Sequence, residues 1–162
     1  MSTAVRANCF DASALVKLYT AEAGSDIVRA YFDREPTKYA TQFCFYEALN
    51  VLKVKWLYRK EITKDEYLHA AFQLSAWHGA SSKRVKDLNF TSPLTFGDAK
   101  RLVEKTGLDL SDAFQILSVK AGFFSPMIGD SRTVLVTGDK NLATAARNEG
   151  LRVWYFLEEP AP

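Results

Sequence analysis

A chain of 162 residues with 48% hydrophobic and 25% charged side chains has the balance of an ordinary globular protein, which excludes a disordered or fibrous chain and suits one domain. Its 21 Lys and Arg against 19 Asp and Glu leave a net charge of +2, so bulk charge announces no nucleic-acid partner and any such partner has to be held locally. Cys9 and Cys44, both in apolar surroundings, read as buried thiols rather than a disulfide framework, which suits a reducing cytoplasm; no signal-peptide core or membrane-length apolar run is present.

In chain order, a short strand reading AVRANCF runs into Asp11, and Asp11 runs directly into the helical pattern ASALVKLY. Helical spacing covers Ser13 to about Thr20, and a second helix spans Ser25 to Arg34 before Pro36. A short strand over Lys38 to Ala40 precedes Thr41, a cap for a long helix from Phe43 to Arg59 in which Phe45, Leu49, Leu52 and Trp56 recur three and four apart. Thr63 with Glu66 is a capping box, and it opens a helix that reaches about Ala80. Arg84 to Phe90 alternates like a half-buried strand, Pro93 precedes a helix over about Thr95 to Lys105, and Gly107 ends it. Ser111 is placed to cap a helix from Asp112 to Lys120, stretch 125–132 reads as a loop, and Thr133 to Thr137 reads as a buried strand. Gly138 and Asp139 turn the chain into a helix over Lys140 to Asn148, followed by a last strand, Leu151 to Phe156, and a frayed tail over 158–162. Strands alternating with helices imply a three-layer α/β/α sandwich with a mainly parallel sheet, formed by residues 1–157 as a single domain.

Four acids fall where such a fold places its chemistry. Asp11 and Asp139 each follow a strand, at the carboxyl edge of the sheet. Glu47 shares a helix face with Phe43 and Val51, and a carboxylate on a buried face demands a partner or a cation; Lys17 or Lys53 would serve as the ion-pair partner. Asp112 lies on the face of Ile116 and Val119, with Asp109 close by. Each has an ordinary explanation alone, as a cap, a turn residue or a dipole partner. Together they point to one edge, and crowded carboxylates call for a divalent cation that prefers oxygen, magnesium or manganese. His69 and His78, nine apart on one helix, read as surface or core-edge residues rather than zinc ligands. An acid-rich magnesium site without a covalent nucleophile suits phosphoryl transfer to water.

The fragments DASALVKLY, FYEALNVL, LDLSDAF and VTGDKNLATAARNEGL, in this order, resemble the PIN-domain ribonucleases, and most closely the VapC-type toxins of toxin-antitoxin pairs. The resemblance implies a PIN-like fold and a metal site of Asp11, Glu47, Asp112 and Asp139, holding Mg2+ or Mn2+. It gives Ser13, Asp109 and Thr137 supporting roles. It also implies an RNA substrate, a homodimer, a cognate antitoxin protein and a cytoplasmic setting. The loop FFSPMIGDSRT, with Asp130, is longer than in many relatives and bears on substrate fit.

Local basic clusters offer phosphate contacts: Lys53, Lys55, Arg59 and Lys60 on the long helix, and Lys83, Arg84 and Lys86 after the next. Tyr46, Trp56 and Tyr58 are candidates for base stacking, with core packing as an equal account of Trp56. A haloacid-dehalogenase-like phosphatase wants a second Asp where Ser13 stands, and a receiver domain wants an early acidic pair. The remaining alternatives are a PIN nuclease of RNA processing and a non-catalytic PIN module that binds RNA or protein.

Overall fold

The computed structural model describes residues 6–82, 88–122 and 133–162. Within them the order is β1 (Ala7–Phe10), α1 (Ala12–Lys17), α2 (Ser25–Arg34), β2 (Thr37–Tyr39), α3 (Gln42–Leu57), α4 (Lys64–Ser82), α5 (Pro93–Thr106), α6 (Leu110–Ala121), β3 (Thr133–Thr137), α7 (Lys140–Asn148) and β4 (Arg152–Tyr155). The four strands pair in parallel in the order β2-β1-β3-β4, with Ala7 opposite both Thr37 and Thr133, and Val134 opposite Arg152. This is the expected α/β architecture. β1 and β3 are buried along their whole length, as strands covered on both faces must be.

Alternation along the strands divides the core in two. Phe10, Val134, Val136 and Trp154 face α1 to α4, where Leu15, Val28, Tyr31, Leu52 and Leu74 complete one cluster. Ala7, Cys9 and Leu135 face the other way, against Leu102, Phe114, Ile116 and Leu142 of α5 to α7. Asn8 is fully buried on the first side, where it accepts from Tyr31 Oη at 2.6 Å and donates to the Thr37 carbonyl at 3.1 Å, so its amide is satisfied.

The topology fixes where the site lies. From β1 the chain leaves through α1 and α2 on one face and moves outward to β2; from β3 it leaves through α7 on the opposite face and moves outward to β4. Connections from neighbouring strands that part in this way open a crevice at the strands' carboxyl ends. Asp11 stands at the end of β1 and Asp139 two residues beyond the Thr137 that ends β3, across Gly138. The two acids flank the crevice.

Local signals set the element ends. Thr41 accepts from the Cys44 amide at 3.2 Å, and Thr63 and Glu66 cap reciprocally at 2.6 and 3.2 Å. Gly107 ends α5 with φ of 72°, where a side chain would be strained. Two expectations are corrected. α6 begins at Leu110, capped by Asp109, whose carboxylate accepts from the Asp112 amide at 2.9 Å and from Ser111 Oγ at 3.0 Å. A carboxylate oxygen that takes two donors is the stronger cap, so Ser111 is absorbed into the first turn. The chain end is also not frayed at Glu159, which accepts from Arg147 at 2.6 and 2.7 Å and whose carbonyl accepts from the Trp154 indole. The strand expected over Arg84 to Phe90 falls largely outside the described residues; its described end, 88–90, is coil and turn.

Candidate active site

Asp11, Ser13, Glu47, Asp109, Asp112 and Asp139 line one pocket of about 360 Å³, at the lower end of the range that takes small organic groups. Asp11 is its floor. The side chain is 5% exposed, and its Oδ2 accepts from Ser13 Oγ at 2.7 Å and from Thr137 Oγ1 at 2.9 Å. Ser13 Oγ in turn accepts from the Gly138 amide at 2.8 Å, and Thr137 Oγ1 from the Asp139 amide at 2.9 Å. Two hydroxyls thus tie the end of β1 to the turn after β3, which fixes the Asp11 carboxylate and the backbone of Asp139 in one frame. Gly138 is part of the frame by size: a Cβ there would stand 2.6 Å from the Phe156 ring.

Beneath Asp11 lies a buried polar layer. Cys44 Sγ is 3.7 Å from Asp11 Oδ1 and 2.9 Å from Gln115 Oε1, which also accepts from Thr41 Oγ1 at 2.9 Å, while Gln115 Nε2 donates to Cys9 Sγ at 3.3 Å. Burial, then the charge of Asp11, holds the Cys44 thiol well above its ordinary value, so it stays protonated as a donor. Both cysteines are buried thiols outside any disulfide, as expected.

The other acids come from three helices. Asp139 caps α7, accepting from the Asn141 and Leu142 amides at 2.7 and 3.0 Å, so its ordinary role as a cap coexists with its place in the pocket. Asp112, in the first turn of α6, is pushed up to about 7, first by burial and then by Asp109, Asp11, Asp139 and Glu47. Glu47 is not on the buried face of α3. That face is Cys44, Ala48 and Leu52, and Glu47 is an exposed rim residue on a stripe with Val51, Lys55 and Arg59 that borders the pocket. Its carboxyl is nevertheless held above the usual range, by burial against the pocket wall and then by Asp11, Asp109 and Asp139. Of its two expected ion-pair partners, Lys17 pairs instead with Glu22, and Lys53 is exposed with no ion pair to Glu47.

The donor set is all oxygen, crowded, and without an ion pair to any of the five carboxylates among the described residues, which is the chemistry a hard divalent cation compensates. The fit is one of charge and donor type rather than preformed coordination: among the described residues no three His, Cys, Asp or Glu side chains stand so that they hold a metal between them.

Of the basic residues, Lys55 and Arg59 line the pocket, whereas Lys53, two positions from Lys55, is exposed on another side of α3. Lys83, Arg84, Lys86 and Asp130 lie outside the described residues. Tyr46 and Tyr58 are exposed, while Trp56 stacks on Tyr67 at 4.9 Å and so packs the hairpin of α3 and α4. His78 is buried and stacked on Phe45 at 4.3 Å, away from the acids, and burial lowers its pKa. Sequence patterns did not single out Glu22, an acid in the turn before α2, which enters the pocket wall beside Lys17. Among the described residues no helix is long and apolar enough to cross a membrane. No family model matches the chain, and no curated protein matches it.

Proposed function

We propose that this protein is a metal-dependent endoribonuclease of the PIN-domain type, acting as the toxin of a toxin-antitoxin pair and hydrolysing RNA phosphodiester bonds. The observation that carries the reading is one pocket, at the crevice between β1 and β3, whose acid end gathers Asp11, Glu47, Asp109, Asp112 and Asp139 without an ion pair to any of them among the described residues, so that Asp112 and Glu47 are held above the usual carboxylate range by burial and by the neighbouring acids. Asp11, Glu47, Asp112 and Asp139 would hold Mg2+ or Mn2+, with Asp109 in support. A bound divalent ion supplies charge neutralisation on the scissile phosphate and an acidified water. The protein's own part is positional. Ser13 and Thr137 pin the Asp11 carboxylate so that it needs no reorganisation when it takes its place at the site. The cognate antitoxin and the homodimer rest on the sequence resemblance.

The test is cleavage of a panel of structured RNAs by the purified protein, with magnesium or manganese and with chelator. Asp11→Asn, Glu47→Gln and Asp112→Asn are each expected to lower turnover about 100-fold or more, because each removes a ligand charge. Activity that survives chelation, or that all three variants retain, overturns the proposal. Growth arrest on expression of wild type but not of Asp11→Asn distinguishes a toxin from a processing nuclease.

A further inference from the structure

The acid pocket has a second, basic end. Lys17 Nζ lies 2.9 Å from Glu22 Oε2 and Lys55 Nζ lies 3.2 Å from Glu22 Oε1, so one carboxylate takes an ammonium on each oxygen. The two lysine side chains are only 13% and 11% exposed, and they come from different helices, α1 and α3. Arg59 stands beside them, 61% exposed, and among the described residues its guanidinium has a single ion-pair contact, a long 3.9 Å to Glu61. An adjoining depression lined by Thr20, Glu61 and Ile62 shares Glu22, Lys55 and Arg59 with the acid pocket, so Glu22 stands at the junction of two connected cavities.

We propose that Glu22 is an internal anion occupying a phosphate subsite, built by Lys17, Lys55 and Arg59, which a backbone phosphate of a bound nucleic-acid strand enters by displacing it. The proposal rests on the ribonuclease reading for its substrate and adds where the strand is held. A carboxylate and a phosphodiester each present two equivalent anionic oxygens on one centre, so a cradle fitted to one receives the other. Burial alone would raise the proton affinity of Glu22, but bonds from Thr20, Lys17 and Lys55 bring its pKa to about 2, so it is an anion at neutral pH. Glu22 belongs to the irregular segment between α1 and α2 rather than to either helix. Its amide donates to Ser25 Oγ at 3.2 Å and its carbonyl accepts from the Ser25 amide at 3.0 Å, so the backbone stays in place and displacement turns the side chain alone. A pair serving only to fasten α1 to α3 has no use for the exposed third cation. Along α3 and the turn that follows it, Glu47, Val51, Lys55 and Arg59 line the pocket from the acids to this cradle, about 12 Å from Glu47 to Lys55 at the helical rise, so a strand with its scissile phosphate at the acids passes over the cradle with a phosphate further along.

The test is fluorescence anisotropy of a short labelled single-stranded RNA, in chelator so that no hydrolysis occurs, over a salt series. Glu22→Gln is expected to tighten binding about three- to tenfold at low salt and to steepen the log-log salt slope by about one, as expected for one more phosphate contact. Glu104→Gln, which removes the same charge from α5 outside both cavities, sets the baseline for bulk charge. Glu22→Gln combined with Lys55→Gln is expected to lose the gain. A Glu22→Gln protein that binds no more tightly than Glu104→Gln, or a gain that persists without Lys55, overturns the proposal. Should Glu22→Gln not fold, Arg59→Gln decides: it is expected to weaken binding about threefold with a shallower salt slope, and unchanged binding overturns the subsite. Absence of cleavage with the Glu22→Gln gain intact overturns the ribonuclease reading and supports the subsite, whereas cleavage without the gain overturns the subsite alone.

Discussion

At the sheet edge, Asp11, Glu47, Asp109, Asp112 and Asp139 share a pocket and have no ion-pair partner among the described residues, whereas two turns along α3 Lys55 sits between Glu22 at 3.2 Å and Glu61 at 2.6 Å. One end of the pocket leaves like charges together; the other pairs opposite ones. Folding alone would favour the second arrangement everywhere, because a partly buried charge without a partner is costly. A cation would relieve the unpaired end, and the difference predicts opposite signs for the loss of a charge at the two ends.

The largest effect is expected at Asp112. Its pKa of about 7 in the folded protein lies above the usual carboxylate value of 3.8, so the folded state binds the proton more tightly than the unfolded state. Its contribution to stability is therefore fully present below about pH 4, declines as the pH rises toward 7, and stays low above. Asp112→Asn fixes the neutral state. In chelator at pH 7.5 the variant is expected to melt about 3–10 °C above wild type, equivalent to about 1–3 kcal/mol after allowance for screening and for a lost favourable charge at a helix start. Near pH 4 the difference should vanish. Magnesium should raise the wild-type midpoint by ligand linkage and move the variant's less. Calorimetry at the two pH values checks this, and a variant melting at or below wild type at pH 7.5 removes Asp112 from the cluster.

Lys55→Met is expected to act in the opposite direction. The substitution keeps most of the apolar stem but leaves Glu22 and Glu61 without the cation between them, in a site where the lysine is only 11% exposed. A loss of about 1–2 kcal/mol, or about 3–6 °C, follows from breaking a largely buried pair that keeps some solvent access. Burial alone would lower the Lys55 pKa, but Glu61 and Glu22 raise it above 10.5. Its stabilisation is thus fully present below about that value and is lost only as the pH rises through the raised one. The deficit of Lys55→Met should therefore be the same at pH 6 and pH 8.5, across a range where the acid end still changes. A thermal shift series over pH measures both. A Lys55→Met protein as stable as wild type would mean that the paired end stabilises nothing.

The contrast between the ends was only half legible in the sequence. Asp11 and Asp139 were placed correctly because each follows an apolar strand across at most one glycine, and strand ends in a parallel sheet share an edge whatever the strand order. The caps at Thr41 and Thr63 were equally local and equally readable. Glu47 was misplaced for a physical reason. α3 carries apolar residues around most of its circumference, so spacing offers no single buried face, and the choice of Cys44, Ala48 and Leu52 is made by the packing of α1 and α4. Lys53 and Lys55 illustrate the same limit: two residues apart on a helix they face different ways, so a basic cluster in sequence is not one in space. Glu22 left no periodic or motif signal, because its role depends on two lysines brought to it by separate helices. At Asp109 two competent caps stood two residues apart, and only the bonds themselves decide between them.

The smallest expected effect, at Glu61, sharpens the comparison by separating a pair from a network. Lys55 has two carboxylates, and Glu61→Gln leaves it the contact with Glu22, so the ammonium stays compensated. Glu61 is also the more exposed partner, at 44% against 36% for Glu22, so more of its attraction is screened by water. The 2.6 Å contact is kept in part, because the Gln carbonyl oxygen still accepts from the ammonium. The loss should therefore be at most about 0.5–1 kcal/mol, roughly half that of Lys55→Met, and should shrink further at about 0.5 M salt, where exposed charges are screened within a few ångström. Denaturant melts of both variants at low and high salt measure the ratio. If Glu61→Gln matches Lys55→Met in full, the 2.6 Å contact alone holds the lysine, Glu22 contributes nothing to it, and the basic end is a simple pair rather than a network shared between three elements.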